Sequence, residues 1–179
     1  SACIVSFPTM ARADLAQGGA SKLVALKAVG PGYPLRGRLR TAPTLDDALA
    51  APVRDAVQTG IPQAGTVWVE AQLLDALGVA PGQPLLLGNS SLTIAAVLTQ
   101  EPDKGAAFMN FAPRVMLNAA DMPATGLIQP ASRVNYRMAL AGTPAQAKAF
   151  EVWAAAYIKG GVEGAARGVR LESLQGGRP

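Results

Sequence analysis

Few residues in this sequence are of types that carry out chemistry. Its 179 residues include no histidine, which excludes Ser-His and Cys-His nucleophilic catalysis and removes the commonest ligand of catalytic zinc sites. Ser21 and Lys22 are adjacent, but neighbouring residues of a strand point to opposite faces and cannot form a dyad. The sequence therefore predicts no catalytic residues, no cofactor-binding residues and no metal ligands, and we expect a protein that is not an enzyme.

Two carboxylates flank a proline in the segment "EPDKG". A loose cation contact by Glu101 and Asp103 is one interpretation. Calcium, however, takes about six to eight oxygen ligands, and two carboxylates fall well short of that. We therefore expect a solvated turn at this position.

The segment "VGPGYPLRGRLR" (29–40) combines prolines, glycines and arginines. Pro31 and Pro34 cannot donate to a sheet ladder, while Gly30 and Gly32 permit turn angles that are closed to other residues. The segment lacks the spacing of a phosphate-binding glycine loop, and no helix follows it. A bend between two strands is the interpretation that we favour.

Residues 35–42 alternate leucine with arginine and predict a half-exposed strand. Arg36, Arg38 and Arg40 would then share one face, which suits either a solvated surface or a phosphate contact. The net charge of +4 comes from scattered arginines, and only 5% of the residues are aromatic. Because a basic patch with interleaved aromatic residues is missing, a solvated face is favoured and nucleic-acid binding is not expected.

An apolar cluster follows in "AAFMNF". If exposed it would form a contact for a partner or for lipid, and if buried it is ordinary core, which we favour. The candidate partner contacts of the chain are Tyr33, Arg36, Arg38, Phe108, Met109 and Phe111.

Bulk composition indicates a folded domain. Half of the residues are apolar, and the single cysteine allows no internal disulfide. No apolar run reaches the roughly 18 residues that cross a bilayer. The chain opens on "ACIVSF" and closes on "GGRP", from which we expect a soluble segment of a longer protein.

The periodicity predicts an α+β fold with an insertion at about 61–128. Two helices are expected, at 70–78 and from Pro144 to about 159, the second with an apolar stripe (Ala147, Phe150, Trp153, Ala154, Tyr157) packed in the core. Strands are expected at 2–7 (ended by Pro8), 21–29, 35–42, 66–70, in a hairpin across 88–90, within 108–118, at 131–142 and at 168–174.

Several stretches resemble the periplasmic domain of YbbP-type permeases, which belong to the FtsX/MacB-like superfamily of ABC transporter permeases. They are "VALKAVGPGYPLRG" (24–37), "EPDKGAAFMNFAPRVMLNAADMPATGLIQPASRVNYRMAL" (101–140), "TVWVEAQLLDALGVAPGQPLLLG" (66–88) and the terminal "GGRP". The second is the most specific, and residues 43–62 match least.

The resemblance implies a MacB-like periplasmic core. A split porter-like subdomain would comprise 1–60 and 129–179, with an inserted, β-rich sabre-like subdomain at 61–128. The periodicity separately predicts an insertion over nearly the same residues.

The resemblance also implies a function without catalysis in this domain. ATP would be bound by a separate cytoplasmic ATPase subunit, and the domain would couple its hydrolysis to periplasmic motion, partner binding or extraction of lipid or acyl-type substrates. Expected partners are that subunit, a periplasmic thioesterase or lysophospholipase, and a second copy of the permease. The expected location is the periplasmic side of a bacterial inner-membrane protein. The alternative is a stand-alone periplasmic hydrolase or a binding protein for a small hydrophobic ligand.

Overall fold

The computed structural model describes residues 1–104, 111–160 and 168–173. Within them the fold is rich in strands and contains few helices, which confirms the α+β class. The strands are β1 (Ala2–Ala13), β2 (Ser21–Val29), β3 (Leu39–Ala42), β4 (Ala56–Gln58), β5 (Thr66–Val69), β6 (Pro84–Leu87), β7 (Ser90–Gln100), β8 (Arg114–Asn118) and β9 (Asn135–Ala139). The helices are α1 (Leu45–Leu49), α2 (Ala71–Leu77), α3 (Met122–Thr125) and α4 (Pro144–Gly160).

Six of the strands pair in a closed ring. Its order is β7-β5-β8-β2-β1-β6, and β6 pairs with β7 to close it. The β2–β8 and β5–β7 pairs are parallel, and the other four are antiparallel. Closure depends on two long strands: β1 pairs with β9 and then β6 along one edge, and β7 pairs with β6 and then β3. β4 extends the sheet beyond β3.

Helix α2 supplies the centre of the main core. Leu73, Leu74 and Leu77 lie on one face and are buried together with side chains of the ring strands. The helix ends at Gly78, whose φ of 65° is the left-handed conformation that favours glycine. The predicted helix at 70–78 is thus confirmed, and so is the hairpin that joins β6 to β7.

Several predicted strand boundaries are wrong. Pro8 does not end β1 but lies within it; residues 7–10 have a strand partner only on the β2 side, so the missing N–H breaks no ladder. The strand expected at 35–42 begins only at Leu39. Residues 168–173 form no strand, and residue 174 lies outside the described part.

The chain separates into two compact units, 1–139 and 140–179. In the first, residues 66–118 contribute β5–β8 to the same sheet as β1–β3. The porter-like and sabre-like division stays a prediction.

Helix α4 belongs to the second unit. The helix itself is confirmed and Ala154 is buried as predicted, but the predicted burial of the aromatic residues is wrong: Phe150, Trp153 and Tyr157 are 39%, 59% and 47% exposed. Their rings pack on one another instead, with centroid distances of 5.6 and 5.4 Å along the helix. Among the described residues, no helix has the length and hydrophobicity that a membrane span requires.

Candidate functional site

The segment 30–38, which joins β2 to β3, packs against the segment 101–104. Gly37, with φ of 75°, lies directly on Pro102 and leaves no room for a Cβ atom. Beside this contact, the Tyr33 hydroxyl donates a hydrogen bond to Asp103. The segment is therefore a connection between strands, as predicted. Tyr33 in its first half is buried, whereas Arg36 and Arg38 in its second half are exposed.

Lys27 is buried in β2, where its ammonium group has three hydrogen-bond acceptors. Its Nζ donates to the Tyr33 hydroxyl at 2.8 Å, to Glu101 Oε1 at 2.7 Å and to Asp103 Oδ1 at 2.8 Å. Nζ also lies 4.7 Å from the centroid of the Tyr33 ring. An ammonium group has three N–H donors, so all of them are used.

Arg114, at the start of β8, completes the group. Its Nε donates to Glu101 Oε2 at 2.9 Å, and its Nη1 donates to the Ala25 carbonyl at 3.2 Å. The side chain of Glu101 is only 1% exposed and bridges the two cations. We call Lys27, Tyr33, Glu101, Asp103 and Arg114 the ionic cluster; its two cations and two carboxylates balance, as buried charges require.

The ionic cluster fixes the protonation of two of its members. Burial opposes ionisation of Asp103, but hydrogen bonds from Lys27 and Tyr33 outweigh it and hold the pKa of Asp103 below its usual value. Burial, together with the hydrogen bond that its hydroxyl donates to Asp103, raises the pKa of Tyr33 well above its usual range. At neutral pH the pair is a carboxylate with a neutral phenol.

The expected turn at "EPDKG" is present and residues 102–104 are exposed, but the expectation that its carboxylates interact only with solvent is wrong. Its carboxylates contact Lys27 and Arg114, because these cations lie in strands whose surroundings are buried. The signal in the sequence was Lys27 itself, a charged residue inside the apolar run 24–29. A lysine at a buried position needs anionic partners, and the nearest unassigned acids are candidates.

A second ion pair lies on β3. Arg40 donates from Nη2 to Asp55 Oδ1 at 2.5 Å, and Thr99 Oγ1 donates to Asp55 Oδ2 at 2.5 Å. The hydrogen bonds from Arg40 and Thr99 lower the pKa of Asp55 to about 2. Arg40 is thus paired inside the fold, and the predicted single face of three arginines is wrong because β3 starts too late to include the other two.

Arg36 and Arg38 instead line an open groove of about 650 Å³. We call it the arginine groove; its walls are residues 31–38 and 58–61. Both arginines are exposed. The ionic cluster and the arginine groove therefore share one segment of chain, with Tyr33 buried and the two arginines at the surface.

The other predicted contact residues have separate positions. Phe111 is 85% exposed, so its favoured assignment to the core is wrong. Phe108 and Met109 lie outside the described residues. Tyr33 is 4% exposed, and its hydroxyl is bonded within the ionic cluster. A role of any of the six in partner contact stays a prediction.

Comparison with known proteins decides the relationship. No protein-family model matches the chain. It is 34% identical over 156 residues to a protein described as an uncharacterized ABC transporter permease, YbbP, of Escherichia coli strain K12. The chain is homologous to one segment of a YbbP-type ABC transporter permease. The alignment covers 87% of the chain but only 17% of that permease, and it confirms the predicted resemblance.

Proposed function

We propose that the chain is a non-catalytic periplasmic domain of an ABC transporter permease of the FtsX/MacB-like type. In the assembled transporter it couples ATP hydrolysis by a cytoplasmic subunit to periplasmic motion, partner binding or extraction of lipid or acyl-type substrates. The observation that carries the proposal is the 34% identity to a permease over 156 residues. That similarity runs along most of the chain and is not confined to one motif.

The ionic cluster supports a mechanical role. Lys27 and Tyr33 come from the first stretch of the resemblance, and Glu101, Asp103 and Arg114 from the second. Their contacts join strand β2, segment 30–38, segment 101–104 and strand β8. Two charge-assisted bonds to each carboxylate or cation make such a junction stiff. A stiff junction suits a domain that transmits motion.

The finer features are part of the same proposal. The porter-like parts 1–60 and 129–179 would flank the sabre-like part 61–128. The partners would be the ATPase subunit, a second copy of the permease and a periplasmic thioesterase or lysophospholipase. Neither nucleic acid nor a cofactor has a role in this scheme.

One observation favours part of the alternative function. The arginine groove has a volume within the range of about 300–1,000 Å³ typical of ligand sites. Its volume suits the binding-protein form of the alternative, and its two arginines favour a ligand that carries an anionic group beside its hydrophobic part. The hydrolase version has no such observation in its support.

The proposed location is tested first, through Cys3, the single cysteine of the chain, which is exposed. The full permease is prepared with its remaining cysteines replaced and treated with a membrane-impermeant maleimide after the outer membrane is permeabilised. We expect labelling of Cys3 while the inner membrane is intact, with no labelling of a cysteine placed in the ATPase subunit. Labelling of Cys3 only after the inner membrane is broken would overturn the periplasmic assignment.

The proposed coupling is tested in the full permease and its ATPase subunit, reconstituted in liposomes. Residues 1–179 are replaced by a flexible linker. We expect the complex to assemble and hydrolyse ATP while movement of a fluorescent fatty-acyl probe stops. Unchanged probe movement would contradict a coupling role, and loss of probe hydrolysis in place of movement would favour the hydrolase alternative.

A further inference from the structure

The arginine groove carries positive charge without a compensating acid. Arg36 and Arg38 are two of its twelve lining residues, and none of the twelve is Asp or Glu. The acids closest to the two lining segments already have cationic partners: Asp55 pairs with Arg40, and Asp103 pairs with Lys27. The groove is therefore a local excess of two positive charges.

Both guanidinium groups are unpaired within the described part of the chain. Neither Arg36 nor Arg38 makes a hydrogen bond or an ion pair there, whereas Arg40, two residues further on, has a carboxylate partner. An arginine presents five N–H donors in a planar fork that matches carboxylate and phosphate oxygens. Two such forks on one groove favour an oxyanion.

The backbone beside the two arginines also has unused donors. Residues 35–37 lie outside any strand or helix, and their N–H groups have no acceptor within residues 1–104, 111–160 and 168–173. Gly37 adopts a positive φ of 75°, which turns the backbone between the two arginines. Consecutive free N–H groups beside cationic side chains form the usual protein environment of a bound anion.

Part of the groove wall is apolar and is supported by the core. Leu35 and Ile61 line it and also pack against the second core cluster, which contains Tyr33 and Trp68. Tyr33 is in turn held by Lys27 at 2.8 Å. The apolar surface is therefore preformed, and it suits the hydrocarbon part of a ligand better than a second charged group.

We propose that the arginine groove binds a single amphiphilic molecule, whose phosphate or carboxylate head contacts Arg36 and Arg38 and whose apolar part lies on Leu35 and Ile61. The inference uses only the groove, so it is independent of the proposed transport function and deepens the binding-protein alternative. The complementary charge and the apolar surface identify the occupant as a small anionic amphiphile.

The test measures binding to the purified 179-residue chain by isothermal titration calorimetry. Octyl phosphate and octanoate are the two probes, and the tighter one identifies the preferred head group. Arg36→Gln and Arg38→Gln are each expected to weaken binding about tenfold, the usual effect of losing a hydrogen bond to a charged group. Arg12→Gln is the matched control, because it removes an exposed arginine from β1, away from the groove, and should leave affinity unchanged.

Three further measurements separate the parts of the proposal. Inorganic phosphate should bind more weakly than octyl phosphate, and Ile61→Ala should reduce only the difference between them. Octyl glucoside, which has the same chain without the charge, should bind weakly and show no dependence on the two arginines. Vesicles of anionic phospholipid should bind no better to the unchanged protein than to the Arg36→Gln variant.

Specific results would overturn the proposal. If neither anionic probe binds, or if the unchanged protein and both arginine variants bind equally well, the groove does not bind an anion through Arg36 and Arg38. Equal affinity for inorganic phosphate and octyl phosphate would show that the apolar wall does not contribute and that the groove binds only the anionic group. Vesicle binding that depends on Arg36 and exceeds that of octyl phosphate identifies a membrane surface, not a single molecule, as the occupant.

Discussion

The ionic cluster and the arginine groove meet at segment 30–38, which supplies Tyr33 to the first and Arg36 and Arg38 to the second, yet their charged groups differ in burial and pairing. In the cluster, each N–H of the Lys27 ammonium group has an acceptor, and the Glu101 side chain is 1% exposed. In the groove, Arg36 and Arg38 are exposed and have no partner among the described residues. Burial therefore separates the charges that hold the fold from the charges that remain available to a ligand.

The physical reason is the cost of removing a charge from water. Burying an unpaired ion costs several kcal/mol, by order of magnitude, so Lys27 is tolerated only because acids approach it from segment 101–104. An exposed arginine has no such cost and needs no partner. Mutations should therefore affect stability strongly in the cluster and weakly in the groove.

Glu101→Gln should have the largest effect. The carboxylate bridges Lys27 and Arg114, so the change leaves two buried cations with one carboxylate between them. Breaking a buried ion pair by removing one partner typically costs about 3–5 kcal/mol in the free energy of unfolding. Urea denaturation followed by circular dichroism measures it.

Asp75→Asn is the control for Glu101→Gln. It makes the same change of charge at an exposed position of α2 and should shift the free energy of unfolding by less than about 0.5 kcal/mol. If both variants lost a similarly small amount of unfolding free energy, the ion pairs of Glu101 would contribute little to stability.

Tyr33→Phe should have a smaller effect. It removes a buried hydroxyl that accepts from Lys27 and donates to Asp103, at a cost of about 1–3 kcal/mol.

Tyr33 also gives a distinctive signal: because its pKa is raised in the fold, the unchanged protein and Tyr33→Phe should show the same tyrosinate absorbance at moderately alkaline pH. They should differ by one tyrosine only after unfolding in denaturant. A difference in the folded state would place the Tyr33 hydroxyl in water.

Acid should weaken both ion-paired regions. The pKa values of Asp103 and Asp55 are lowered in the fold, that of Asp55 to about 2 from a usual 3.8. A lowered carboxylate pKa stabilises the fold above the unfolded value, and this contribution is lost as pH falls through the unfolded value toward the folded one. We expect the free energy of unfolding to fall between about pH 5 and pH 2 and to fall less in Asp55→Asn. Parallel curves for Asp55→Asn and the unchanged protein would contradict the pairing with Arg40.

Regular elements were predictable from sequence, and the cluster was not. The helix at 70–78 and the hairpin follow from local periodicity and turn residues, which need no knowledge of distant segments. The ionic cluster joins Lys27 to Asp103 across 76 positions, so the apolar run around Lys27 indicates a buried cation but does not identify its distant partners. The parallel pairing of β2 with β8, between segments distant in the sequence, is what places Lys27 near Arg114.

The same limit explains the errors at the surface. The aromatic stripe of α4 has the spacing of a core face, but spacing cannot show that the rings pack on each other and remain partly exposed. The alternation of arginines at 35–42 resembled a strand, yet Gly37 and its contact with Pro102 interrupt it. Tertiary contacts override a local pattern in both places.

The smallest expected effect on stability is that of Arg36→Gln combined with Arg38→Gln. Both side chains are exposed and lack partners in the described part of the chain, so the double variant should change the free energy of unfolding by less than about 0.5 kcal/mol. Removing two of four excess positive charges should slightly relieve repulsion in the protein. Thermal unfolding at low and high salt measures both. A loss comparable to that of Glu101→Gln would mean that the two arginines hold the fold, and the contrast between the groove and the cluster would then be wrong.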